Sequence, residues 1–130
     1  MEITMEQAKT AARQAELKAT EIQVPVNIVI LDTAGYLKFF VRMDNAFIGS
    51  IDIALQKAKT AMLFRTSSEM VGEFLKPEAH AYGLSQTNGG LVGFPGGLPI
   101  LSNKDIIGYI GISGGAVPQD LLIATAGSTI

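Results

Sequence analysis

Nine of the fourteen glycines in this 130-residue chain lie in one window, Gly89 to Gly115. Glycine adopts positive φ without steric cost and lets other groups approach the backbone closely. Concentrated in one stretch, it marks tight connections there and not a flexible chain. Within the window, Gly90–Phe94, Leu98–Ser102 and Ile106–Ser113 read as three strands. Asn103-Lys-Asp105 reads as a tight turn between the last two.

Upstream, the pattern changes period. Thr4 and Gln7 form a T-x-x-Q capping box, and Ala8, Ala11, Ala12, Ala15 and Ala19 follow at helical spacing. The first element is therefore a helix with a narrow alanine stripe, ended by Pro25. Val26–Leu31 is β-branched and reads as a strand, with Asp32-Thr-Ala-Gly35 as turn chemistry and Tyr36–Met43 as a second strand. So short a connection makes the pair antiparallel. Ile51–Arg65 reads as a helix capped by Ser50, with Ile51, Ala54, Leu55, Ala58, Ala61 and Met62 on one face. Thr66-Ser-Ser-Glu69 reads as a second capping box, opening a short helix that stops before Pro77. Glu78–Asn88 is irregular, and Pro118 opens a last helix over Gln119–Ala126. The expectation is a single α+β domain over residues 1–130. Its order is α-β-β-α-α-β-β-β-α, a five-stranded antiparallel sheet flanked by helices.

Composition narrows the chemistry. At 48% hydrophobic and 17% charged, the chain is too apolar for disorder. Without cysteine there is no disulfide, thiolate metal site or thiol nucleophile, and a lone histidine rules out multi-histidine metal sites within one chain. A net charge of −2 argues against binding nucleic-acid phosphates. The longest apolar runs are far short of a membrane span, and the polar N-terminus has no leader pattern, so the expectation is a soluble, cytoplasmic protein. The mean hydropathy of +0.31 exceeds what so small an interior needs, which points to apolar surface at subunit interfaces.

Four features are candidates for ligand contact. Gly93-Phe-Pro-Gly-Gly-Leu-Pro99 places Pro95, Gly96, Gly97 and Pro99 in a loop whose bare amides can nest an anion, or which is simply a tight strand connection. Ile110-Gly-Ile-Ser-Gly-Gly115 brings Ser113, Gly114 and Gly115 to the start of the last helix, beside Asp120, either as an anion site or as a plain strand-to-helix turn. No G-K-[ST] follows the first loop and Ser113 is in no G-x-S-x-G elbow, so neither a P-loop nor a nucleophile elbow is present. Arg42 and Asp44 end the second strand, as ligand contacts or as a weak surface pair. His80 is either a general base, an axial haem ligand or an ordinary loop residue.

Together, Pro95-Gly-Gly-Leu-Pro-Ile100, Ile107-Gly-Tyr-Ile-Gly-Ile-Ser-Gly-Gly115 and Gln119-Asp120 resemble the GlcG/HbpS-like haem-binding family. Val24-Pro-Val-Asn-Ile-Val-Ile-Leu-Asp32, Arg42-Met-Asp44, Gly49-Ser50 and Lys57-Ala-Lys-Thr-Ala61 resemble its front half in the same order. The family also includes the C-terminal domain of the propanediol-utilisation adenosyltransferase. The resemblance implies a profilin-like fold, a homo-oligomer from dimer to octamer, and haem as a cofactor. Some haem-binding members offer a histidine from the first helix. Thr4–Glu21 contains none, which leaves His80, Tyr82, a methionine or a hydroxyl as the iron ligand.

Two functional expectations follow. The first is a small oligomeric protein binding haem or a related tetrapyrrole against the glycine-rich turns. The second is an enzyme or accessory protein acting on a small organic acid of glycolate- or diol-type metabolism. There the anion would lie between the two glycine turns, Arg42 would neutralise it, and Asp44, His80 or Asp120 would move protons. No spacing assigns a catalytic residue.

Overall fold

The computed structural model describes residues 2–130. Helix α1 (Met5–Glu21) starts at the expected box: Thr4 Oγ1 accepts from the Gln7 amide at 3.1 Å, and Gln7 Oε1 accepts from the Thr4 amide at 2.9 Å. Its five alanines are buried. Strands β1 (Asn27–Leu31) and β2 (Leu37–Arg42) form the expected hairpin. Asp32 shapes the connection, its Oδ1 accepting from the amides of Ala34 and Tyr36 at 2.9 Å each.

Helix α2 spans Gly49–Phe64 and α3 spans Ser68–Leu75. Both caps differ from expectation. Ser50 lies inside the first turn of α2, whose N-cap, Ile48, makes no side-chain bond. Ser67, and not Thr66, caps α3, accepting from the Met70 amide at 3.0 Å. Short 3₁₀ turns at Pro77–Ala79 and Leu84–Gly89 follow, then β3 (Gly97–Ser102), β4 (Asp105–Ser113) and α4 (Val117–Gly127).

The sheet is antiparallel throughout, in the order β2-β1-β4-β3. Helices α1 and α4 cover one face, over Ile28, Ile30, Ile110 and Ile112. Helix α2 covers the other, over Val29, Leu31 and Tyr109. Burial on both faces explains why β1 reads as a continuous apolar run.

The sheet has four strands, not five, because Gly90–Phe94 joins no ladder. The polar groups of this segment are satisfied from elsewhere. The Leu91 amide donates to the Ser85 carbonyl at 2.9 Å, the Val92 amide donates to Thr60 Oγ1 at 3.0 Å, and the Phe94 carbonyl accepts from Ser68 Oγ at 2.7 Å. Gly93 rests directly on Gly72 of α3. An apolar run beside glycines looks the same whether a strand or the side chains of two helices supply its partners. No helix among the described residues is long and apolar enough to cross a membrane.

Candidate functional site

The two glycine turns meet beneath α2. Gly97 and Gly111 face each other across β3 and β4. A Cβ on Gly97 would collide with the Lys57 carbonyl, and one on Gly111 with the Ala54 carbonyl. The helix backbone therefore lies directly on the sheet, closer than any side chain would allow. That approach carries the Lys57 side chain into the interior.

Lys57 Nζ donates to the Ile112 carbonyl at 2.8 Å and to Asp120 Oδ2 at 3.1 Å. The Phe94 ring centroid lies 4.9 Å away, within cation–π range. Asp120 Oδ1 accepts from the Gly115 amide at 2.8 Å. The two side chains are only 1% and 3% exposed. Burial pushes the Lys57 ammonium below its ordinary value of 10.5, and the charge and hydrogen bond of Asp120 pull it partly back. An ammonium so enclosed is closed to a substrate. Its geometry makes it a clamp, tying the start of α4 to α2 and to the end of β4.

The sequence-marked residues divide accordingly. Gly96, Gly97, Gly115 and Asp120 converge on Lys57; a Cβ on Gly96 would stand 2.8 Å from its Nζ. Ser113 is buried and Arg42 exposed, and both pair with Asn27, from opposite sides of β1. Asp44 is exposed; Pro95, Pro99 and Gly114 are half-buried. Neither Arg42 nor Asp44 takes part in the ion pairs among the described residues. His80 stands apart on the exposed loop after α3, its ring edge-on to Tyr82 at 6.2 Å.

Lys57 is the residue that reading the chain missed as part of a site. Its signal was positional: it falls three residues after Ala54 and four before Ala61, on the buried stripe of α2. A lysine on such a stripe requires a partner.

Among the open cavities that lie away from this clamp, two differ sharply in character. The first, of about 380 Å³, is apolar and lined by Phe64, Thr66, Val71, Phe74 and Leu84. The second, of about 460 Å³, is polar and lies among the C-terminal end of α2, the β1–β2 turn and the β3–β4 turn. No group of three or more metal-ligating side chains occurs among the described residues.

The architecture is an α+β domain with a buried lysine–aspartate clamp beneath its glycine turns. Residues 3–129 match the family described as haem degrading protein HbpS-like, and the chain belongs to that family. It is 44% identical over 123 residues to an uncharacterised 15.0 kDa protein of the dhaT-dhaS intergenic region of Citrobacter freundii, a match covering 94% of this chain and 87% of the relative. It is 36% identical over 125 residues to the corrinoid adenosyltransferase PduO of Citrobacter freundii, covering 95% of this chain but 37% of that larger protein. Among solved structures it is similar to that of a PduOC–haem complex, with 34% identity, a TM-score of 0.90, and 98% of this chain and 93% of the other covered.

Proposed function

We propose that the protein binds haem or a related tetrapyrrole. The observation that carries this reading is the similarity, over 98% of the chain, to a domain whose crystal structure is that of a haem complex. The residues present fit such a ligand. The apolar cavity offers Phe64, Val71, Phe74 and Leu84 to a macrocycle. The loop that supplies Leu84 also carries His80, whose exposed imidazole would ligate the iron, with the Tyr82 ring beside it. Helix α1 has no histidine to offer. Bound haem would supply a redox-active, ligand-binding iron. Phe64 and Phe74 would shield it from water.

The cavity takes only part of a macrocycle. A second copy would close the rest, in keeping with the exposed apolar side chains Tyr36, Phe47, Ile48 and Phe74. We therefore propose a cytoplasmic homo-oligomer, between dimer and octamer, on a profilin-like scaffold. In this reading Gly96, Gly97, Gly115 and Asp120 build the clamp, and the ligand lies elsewhere.

Hemin titration tests the proposal. A Soret shift at micromolar protein is expected, and its absence refutes haem binding. In His80→Ala the shift should weaken or move; an unchanged spectrum removes His80 as the ligand.

A second reading, action on a small organic acid, is favoured by one observation: the polar cavity presents Arg65 and Lys104, neither of which belongs to an ion pair among the described residues.

A further inference from the structure

We propose that the polar cavity is a binding site for a small monocarboxylate, with Arg65 and Lys104 as its cationic partners and the Tyr109 hydroxyl as a neutral donor. The proposal rests on the small-acid reading and is independent of haem. It places the acid at the end of the sheet opposite to the glycine turns, where Asp120 already fills the anion position beside Lys57.

Charge selects the ligand class. Two cations and one carboxylate, Asp105, line the cavity, leaving a single net positive charge. That matches a monocarboxylate better than a phosphate dianion. Glu2 lies close by and keeps its charge, but both of its carboxylate oxygens accept from the amide and hydroxyl of Thr33, another lining residue, and it pairs with neither Arg65 nor Lys104 among the described residues. Arg65 offers a planar fork suited to both carboxylate oxygens. The Tyr109 hydroxyl makes no hydrogen bond within the protein among the described residues, although the residue as a whole is buried. Burial raises its pKa, with Arg65 opposing, so it keeps its proton and donates at neutral pH.

A second observation concerns the backbone. Arg65 sits at φ 54°, as the left-handed C-cap of α2. Asn103 and Lys104 sit at φ 51° and 71°, in the two-residue turn between β3 and β4. Helix C-termini and such turns ordinarily place glycine at these positions. Both cations of the cavity thus occupy places where glycine would be less strained, a cost consistent with a use for their side chains. The same positions hold both residues on short, well-defined turns, with little ordering left to do on binding.

Isothermal titration calorimetry with glycolate, lactate and inorganic phosphate tests the site. Saturable binding of glycolate or lactate to the wild-type protein is expected, with phosphate weaker. Lys104→Gly and Arg65→Gly should each weaken it roughly tenfold or more, the loss of one charge-assisted bond. Because glycine suits both backbones, neither variant should melt below wild type, so lost affinity cannot be lost folding. Tyr109→Phe should weaken binding less, and Lys9→Gln, on the other face of the sheet, should leave it unchanged. If the wild type binds neither acid, the small-acid reading itself fails. If it binds both and the glycine variants bind equally well, only the placement in this cavity is overturned. Tighter binding of phosphate overturns the carboxylate assignment.

Discussion

Replacing Asp120 by alanine would strand the Lys57 ammonium in the interior. The ammonium would keep one hydrogen-bond acceptor, the Ile112 carbonyl, and the Phe94 ring; the Gly115 amide would lose its acceptor as well. Breaking a buried pair from one side costs about 3–5 kcal/mol, because an uncompensated charge remains. A domain of this size is stable by only about 5–15 kcal/mol, so the variant should unfold at visibly lower urea. Lys57→Met should cost a similar amount, by stranding the carboxylate. The double variant Lys57→Met/Asp120→Ala removes both charges, so its cost should fall well below the sum of the two. Urea unfolding followed by circular dichroism at neutral pH measures all four proteins. Costs below about 1 kcal/mol for either single change, or simple additivity in the double, would refute the clamp.

The pair also has a pH signature. Asp120→Asn keeps an acceptor for Gly115 but removes the charge that holds the Lys57 pKa up, so burial alone sets it. Its folded-state pKa then lies further below the unfolded value of 10.5. Between those two values the unfolded chain binds more protons, so stability rises with pH. The stability deficit of Asp120→Asn relative to wild type should therefore shrink as pH is raised towards 10.5. Tyr109 works in the opposite direction, since its raised pKa lowers stability above 10.0, but both proteins share it and the difference cancels. A deficit that widens with pH would show that Lys57 is not the stranded group.

Other expectations concern the packing around the clamp. Gly97→Ala and Gly111→Ala, whose new methyl groups would meet helix carbonyls, should each destabilise by about 1–3 kcal/mol or more, whereas Gly49→Ala, with nothing near its Cβ, should stabilise by up to about 1 kcal/mol. Equal melting temperatures for the three would contradict direct contact of α2 with the sheet. Ser68→Ala removes a buried hydroxyl that donates to Phe94 and accepts from the Gly97 amide at 2.9 Å, and should cost about 1–3 kcal/mol in urea unfolding. A neutral result would mean water replaces the hydroxyl.

Much of the fold was legible because its signals are local. The Thr4–Gln7 box, the alanine stripe of α1, the Asp32 turn and the Asn103–Lys104 turn are each specified by residues within a few positions of one another, and each formed as expected. Two helix starts shifted: α2 begins before Ser50, at Ile48 and without a side-chain cap, and at α3 the adjacent Ser67 takes the cap in place of Thr66. Ser67 and Ser68 show the difference: both carry hydroxyls, but tertiary packing turned one to the helix amide and the other to Phe94 and Gly97.

The sequence by itself determined the α+β class, the hairpins and a glycine window able to pack closely, since backbone freedom and side-chain period are properties of neighbouring residues. Only the tertiary structure decided how that packing is used. Whether Gly90–Phe94 pairs with a strand or crosses two helices depends on which groups reach its backbone: Thr60 and Ser85 accept from its amides, and Ser68 donates to its Phe94 carbonyl. Whether the glycine turns face solvent or enclose a charge depends on Lys57, fifty-five residues from Ile112 and sixty-three from Asp120. Arg65 and Lys104 likewise come to one cavity from opposite halves of the chain. Partners that distant meet only because β1 pairs with β4 and α2 lies across them, a pairing no local window contains.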